Sequence, residues 1–309
     1  APQTSCNSTT PGTGPASGYE KYPRSAFCEG TGEVYSAAMT DQATANWEPE
    51  LEAARVAARE ASEILLRHYE QGTKQWEKSK DNPVTLADIE SDQAIHRILS
   101  KAFPGDAILS EETVSSLDRL DNDRVWIVDP MDGTKEFTKK IPEFATSIAL
   151  CHRGTPVVGV IQNPVTAIAV YARQGSGCYC DGERVRVNSL PALGDAVVIA
   201  SRTEISRNRF DPYEGWFKEL RPVGSIAWKL ACVACGDGDL NISVAPKNEW
   251  DVCAGDLLVR EAGGRYLDFE GRERVYNQEK TLIDCGMAAG ATSLLDAFFE
   301  RDRKRADGA

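Results

Sequence analysis

The stretch Val125-Trp126-Ile127-Val128-Asp129-Pro130-Met131-Asp132-Gly133-Thr134-Lys135-Glu136-Phe137 carries the densest chemistry in the chain. A short apolar run delivers Asp129 at its C-terminal end, Pro130 fixes the turn, and Asp132 follows three residues later. Gly133 and Thr134 stand where a helix could begin. Two carboxylates at such a bend can point at one spot, and the backbone N–H groups of Gly133 and Thr134, with a helix N-terminus behind them, would point there too. Carboxylates beside bare amides suit a divalent cation and a phosphate sharing one space, because Mg²⁺ prefers oxygen ligands and keeps water and phosphate oxygens in its shell. The same residues also fit a strand end closed by Asp-Gly turn chemistry and nothing more.

Three further acidic positions bear on that choice. Leu109-Ser110-Glu111-Glu112-Thr113 follows a short apolar strand at 107–109, Trp250-Asp251 opens a helix late in the chain, and Pro83-Val84-Thr85-Leu86-Ala87-Asp88 precedes another helix. Taken singly each is bland: a solvated acidic turn for Glu111, helix caps for Asp88 and Asp251. Taken together, PVTLAD, SEE, DPMDGT and WDVCAGDLLVREAGG occur in the order and rough spacing of a known family. The chain resembles the inositol monophosphatase family of metal-dependent phosphatases over about residues 47–299.

The resemblance implies an α/β fold, a layered αβαβα sandwich of the inositol monophosphatase and fructose-1,6-bisphosphatase type. It implies hydrolysis of a phosphate monoester by water with Mg²⁺, two or three ions per site, and sensitivity to lithium. Carried over by motif, Glu111, Asp129 and the backbone carbonyl of Met131 would hold one metal, and Asp129 would bridge to a second, held also by Asp132 and Asp251. Glu111 and Thr134 would orient the attacking water, with Asp88 accepting from Thr134, and the amides of Gly133 and Thr134 would bind the phosphate. The chemistry is consistent: paired metals lower the pKa of a bound water and offset charge on the leaving oxygen. A phospho-aspartate route of the DxDGT type fails, because the residue two before Asp132 is Pro130, so the nucleophile is expected to be water. His68, His96 and His152 lie outside these motifs and read as surface or structural residues.

Substrate choice is expected to reside in the second half of the chain. Lys135-Glu136-Phe137 after DPMDGT resembles the 3′(2′),5′-bisphosphate nucleotidase branch of the family. Gly224-Ser225-Ile226-Ala227-Trp228-Lys229 places Ser225 and a cation at the start of a helix, where Lys229 would meet the second phosphate of a nucleotide; the plain alternative is a solvated lysine. Arg202 is a further candidate anion contact. Inositol phosphatases usually carry a Glu several residues before the WD motif, and Ser243-Val244-Ala245 has no acid there, which should disfavour inositol. The favoured reading is a nucleotidase converting adenosine 3′,5′-bisphosphate to AMP and phosphate. The alternatives are an inositol-1-phosphate or other sugar-phosphate phosphatase and, in another class, a non-catalytic nucleotide or metal sensor.

These motifs need a scaffold of alternating helices and strands to bring them together. Leu51, Ala54, Ala58, Ala61, Leu65 and Tyr69 recur at helical spacing over 47–71, with Gly72 as a stop, and a second helix is expected from about 89 to 103. Strands are expected at 125–128, 145–151, 156–162, 167–172, 197–200 and 240–244, and helices at 225–235, 252–262 and about 293–303. The 309 residues suffice for a large core. They are expected to form a metal-binding lobe at 39–194 and a substrate-contacting lobe at 195–309. Residues 1–38, rich in Ser, Thr, Gly and Pro, read as a disordered leader or artefact, with Met39 a plausible natural start. A formal charge of 35 − 47 = −12 argues against nucleic-acid polymers and anionic membranes as partners and leaves a small phosphate ester. The resemblance also permits a homodimer. Nine scattered cysteines and no signal peptide favour reduced thiols in the cytoplasm, over a structural zinc or disulfide built from Cys178, Cys180, Cys232 and Cys235.

Overall fold

The computed structural model describes residues 46–79, 82–113, 116–189 and 192–307; the segment read above as a leader lies outside them. In chain order the elements are α1 (Glu48–Gln71), β1 (Gln75–Ser79), β2 (Asn82–Thr85), α2 (Leu86–Ala102), β3 (Ala107–Ser110), β4 (Arg124–Asp132), α3 (Thr134–Thr138), β5 (Ala145–His152) and β6 (Thr155–Gln162). There follow β7 (Ala169–Arg173), β8 (Cys178–Cys180), β9 (Glu183–Val185), β10 (Val197–Ser201), α4 (Arg202–Ser206), β11 (Glu219–Val223), α5 (Ile226–Ala234), β12 (Leu240–Ser243) and β13 (Lys247–Asn248). The chain closes with α6 (Glu249–Glu261), β14 (Arg265–Asp268), β15 (Leu282–Ile283), β16 (Met287–Gly290) and α7 (Thr292–Asp307).

Helix α1 has the expected apolar stripe, with Leu51, Ala54, Ala58, Ala61 and Leu65 buried, and the stripe packs with Ile95 and Leu99 of α2. Helix α2 starts at Leu86, earlier than expected, because Thr85 caps it. The Thr85 hydroxyl accepts from Ala87 N (3.2 Å) while the Asp88 carboxylate accepts from Thr85 N (2.7 Å), a reciprocal capping box.

Strand β4 organises the interior. It lies second in a seven-stranded sheet of order β3-β4-β5-β6-β7-β8-β9, parallel to β3 and antiparallel to β5. Alternation sends Trp126 and Val128 toward the α1–α2 layer, and Val125 and Ile127 into a core shared with α5 and α6. Burial on both faces explains why this strand reads as an uninterrupted apolar run. A second sheet, of order β11-β10-β12-β16-β14, covers the other side of that helical layer: Ile199, Met287 and Ala289 join the core of α5 and α6. Its far face, including Val198, Ala200, Ile242 and Ala288, is covered by Leu294, Leu295, Phe298 and Phe299 of α7. The layers therefore run helices, sheet, helices, sheet, helix, the αβαβα order implied by the resemblance.

Because α5 is sandwiched, every residue from Ile226 to Ala234 is buried. Gly255, inside the WDVCAG motif, is what lets α6 approach it: a Cβ there would fall 2.4 Å from Leu230 Cδ1. No helix among the described residues is long and apolar enough to cross a membrane.

Candidate active site

Strand β4 carries Asp129 to the edge of the layered core and then breaks register. Its pairing with β5 is irregular between Asp129 and Asp132, where Pro130 supplies no N–H and its carbonyl is taken by the Thr146 hydroxyl (3.0 Å). The turn is closed by the acid itself, since Met131 N donates to Asp129 Oδ1 (2.9 Å). Gly133 follows at φ +100°, and an added Cβ would crowd the Glu143 carbonyl and Phe144 at 3.1 Å, so glycine is required on both counts. Helix α3 behind it is only five residues long. The expected helix-dipole contribution therefore shrinks to little more than the local amides.

Folding gathers acids that are distant in sequence. One carboxylate oxygen from each of Glu111, Asp129 and Asp251 lies within 4.8 Å of the others. Together with Asp132, Gly133, Thr134 and the Met131 backbone, these residues line a cavity of about 280 Å³. Asp132 is committed differently: its Oδ2 accepts from the Ser225 hydroxyl (2.5 Å) and from Ala227 N (2.6 Å) at the start of α5. Asp251 reaches the cluster from the first turn of α6, where its Oδ2 also accepts from Asn248 N (2.7 Å). Asp88 stands beside the cluster, its Oδ2 capping Thr85 and its Oδ1 accepting from the Thr134 hydroxyl (3.3 Å). The cap reading and the site reading of Asp88 and Asp251 thus hold together, since one carboxylate has two oxygens.

The electrostatics describe a site short of positive charge. Burial, then the neighbouring Glu111, Asp132 and Asp251, hold the Asp129 carboxyl well above the usual carboxylate range. Burial, then Asp132, does the same to Asp251. Asp88 is pushed up to about 7, first by burial and then by Glu112 and Glu111. Three hard oxygen donors forced together and desolvated match what Mg²⁺ binds, so the residues fit such an ion.

A family model described as the inositol monophosphatase family matches residues 46–303. The chain belongs to that family. A Pasteurella multocida protein named Nus factor SuhB is 34% identical over 232 residues, 72% of this chain and 86% of that protein. A Thermotoga maritima protein named fructose-1,6-bisphosphatase/inositol-1-monophosphatase is 34% identical over 191 residues, 62% of this chain and 73% of that protein. The crystal structure of CysQ from Bacteroides thetaiotaomicron superposes with a TM-score of 0.67 at 32% identity, covering 79% of this chain and 98% of that one.

On this member of the inositol monophosphatase family, the candidate substrate contacts need revision. Lys229 is not solvated, yet it does line the cavity. It is 3% exposed, and its ammonium donates to the Ser225 carbonyl (2.9 Å) and the Val223 carbonyl (3.4 Å). Burial lowers its pKa to about 8. Arg202 pairs with Glu143 and is absent from the cavity lining. Ser225 lines the cavity but spends its hydroxyl proton on Asp132. Lys135, read from the sequence as a further candidate substrate contact, lines the cavity.

Sequence reasoning missed Lys247, which also lines the cavity. Its ammonium donates to Glu204 (3.0 Å) and to the Ala245 and Pro246 carbonyls (3.2 and 3.3 Å). Glu204 itself is 4% exposed and takes the Ser243 hydroxyl (3.0 Å) and Val244 N (2.9 Å). It comes from α4, so nothing near the WD motif signals it. The cysteines expected to be plain buried thiols include Cys178 and Cys232, both buried and both pushed up by burial.

Proposed function

We propose that the chain is a Mg²⁺-dependent phosphomonoesterase acting through water, with adenosine 3′,5′-bisphosphate as its preferred substrate class. The observation that carries the catalytic reading is the convergence of Glu111, Asp129 and Asp251 within 4.8 Å, beside a threonine hydroxyl backed by a carboxyl. Glu111, Asp129, the Met131 carbonyl, Asp132 and Asp251 would hold the metal ions, which supply activation of a water and neutralisation of the leaving oxygen. The chain's own residues arrange the proton path. Thr134 Oγ1 donates to Asp88 Oδ1 or to the Met131 carbonyl, both at 3.3 Å, which leaves its lone pairs to accept a proton from the attacking water. Asp88 Oδ1 stands at the end of that path, where it can receive the proton Thr134 gives up. Gly133 and Thr134 would seat the phosphoryl oxygens on their amides.

The nucleotide reading is supported by the basic residues that line the same cavity as the acids. Lys135, Lys229 and Lys247 are among them, and a second phosphate on the leaving group would answer that positive charge. An inositol or sugar phosphate is the second reading, favoured by the name of the Thermotoga maritima relative. Phosphate release from adenosine 3′,5′-bisphosphate, phosphoadenylyl sulfate, inositol 1-phosphate and fructose 1,6-bisphosphate, each with Mg²⁺ and with EDTA, separates the readings. The highest kcat/KM is expected for adenosine 3′,5′-bisphosphate. A preference for inositol 1-phosphate would reverse the substrate assignment, and tight ligand binding with no turnover under excess Mg²⁺ would make the protein a sensor.

A further inference from the structure

Helix α2 carries a second buried carboxylate one turn beyond Asp88. Asp92 is 4% exposed and lies outside the lining of the cavity. Its two oxygens are each taken by a hydroxyl: Ser110 Oγ donates to Oδ1 at 2.5 Å and Thr113 Oγ1 donates to Oδ2 at 2.6 Å. Those two residues bracket Glu111. The Ser110 hydroxyl also accepts from Glu112 N (3.3 Å), and Glu111 N donates to the Val128 carbonyl of β4 (3.2 Å). The short loop bearing Glu111 is therefore pinned on both sides to one buried side chain. The same helix face holds Asp88 against Thr134.

We propose that Asp92 is a positioning residue that holds the Glu111 carboxylate in register with Asp129 and Asp251 and so sets the affinity of the cluster for a divalent cation. The inference rests on the metal reading of that cluster. Charge-assisted O–H···O⁻ bonds of this length are among the stronger ones in proteins. Glu111 leaves a strand end between two residues held by Asp92, so the Asp92 anchor limits how far its side chain can wander. Removing the partner of a ligand-bearing segment typically costs 10–100-fold in metal affinity.

The test is Mg²⁺ binding to the full chain by calorimetry, with Mn²⁺ electron paramagnetic resonance as an independent readout. Asp92→Ala is expected to weaken binding about 10–100-fold. Asp92→Asn is expected to recover most of the loss, because a hydroxyl can accept from an amide as readily as it donates to a carboxylate. The double variant Ser110→Ala/Thr113→Val, which leaves α2 intact, should reproduce the Asp92→Ala defect and carries the test if Asp92→Ala does not fold. Wild-type affinity in the double variant would overturn the proposal, whatever happens to melting temperature. A wild-type protein that binds no Mg²⁺ would overturn the metal reading and this inference with it, whereas a wild type that binds while all variants match it would overturn the inference alone.

Discussion

Replacing Asp129 by Asn should stabilise the metal-free protein while abolishing its response to Mg²⁺, the reverse of the usual sign for a buried substitution. Glu111, Asp129 and Asp251 lie within 4.8 Å of one another. At an effective dielectric of about 20, each ionised pair at that separation repels by about 3 kcal/mol. Asp129→Asn removes two of the three pairs. The full saving is not available, because the metal-free wild type can instead keep one carboxyl protonated. Holding a proton at pH 7 on a group that ordinarily loses it near 4 costs about 4 kcal/mol, and that is the ceiling. Against it, desolvating the new amide N–H groups with imperfect partners costs about 1–3 kcal/mol. Asn Oδ1 can still accept from Met131 N, so the turn should survive. The net gain is about 1–3 kcal/mol, or a melting temperature about 2–8 °C higher in EDTA. In Mg²⁺ at about 1,000 times its dissociation constant the wild type gains about 4.1 kcal/mol and the variant gains nothing, so the order of stabilities should invert. Calorimetric melts of both proteins with EDTA and with excess Mg²⁺ read this directly. A variant that melts lower than wild type in EDTA, or that keeps the Mg²⁺ shift, would refute the reasoning that a cation-starved acid cluster is the heart of the site.

Thr134→Ala should lower kcat by about 10²–10⁴-fold, the range for a lost proton-transfer partner, with Mg²⁺ affinity unchanged by calorimetry; a loss under threefold would remove Thr134 from the proton path. Lys229→Met should lower the melting temperature by orphaning two buried carbonyls, at about 1–3 kcal/mol, and Lys247→Met should raise KM for adenosine 3′,5′-bisphosphate about tenfold with little effect on a singly charged-leaving-group ester such as p-nitrophenyl phosphate. In EDTA the protein should lose stability as pH rises from about 4 to 8. Asp88 is raised from 3.8 to about 7 and Glu249 from 4.5 to about 7, each first by burial, so in that window the folded state binds more protons than the unfolded state, and by linkage stability falls with pH. For Asp88 alone the loss is about 4 kcal/mol; thermal melts of wild type and Asp88→Asn from pH 4.5 to 8 should show a flatter profile in the variant.

Much of the site was legible because its ligands sit at structural punctuation. Asp129 ends an apolar run that had to be a buried strand, and Pro130 with Gly133 forced the bend that turns its neighbours inward. Glu111 and Asp251 mark a strand end and a helix start, yet only their order along the chain tied them to Asp129; convergence within 4.8 Å is a product of packing α6 against the sheet that carries β3 and β4. The start of α2 was also present in the sequence as Thr85-x-x-Asp88, a capping box whose Thr accepts from the helix and whose Asp reaches back, and Asp92 follows on the same face at i+4. Short pieces such as the β1–β2 hairpin and the two-residue β13 and β15 left no periodic trace, because two to five residues are too few for alternation to stand out.

The cationic wall was the least legible part, for a reason that bears on substrate. Lys229 lies in Ile-Ala-Trp-Lys-Leu-Ala-Cys-Val-Ala, a segment apolar on every face, and a helix of that kind is buried all round. A lysine inside it must find backbone oxygens, as Lys229 does one turn back at Ser225. Lys247 and Glu204 could not be paired from sequence, since they are 43 residues apart on different elements. Glu204 places a carboxylate beside Ser243 and Val244, the segment whose lack of an acid argued against inositol. Yet both of its oxygens are already occupied, Oε1 by Ser243 and Lys247 and Oε2 by Val244 N. A ring hydroxyl in the cavity would not meet it, because Glu204 is buried and is not among the residues that line the cavity. What Glu204 delivers to the cavity is a fixed lysine, so this wall favours an anionic leaving group over a polyol even though an acid stands behind it.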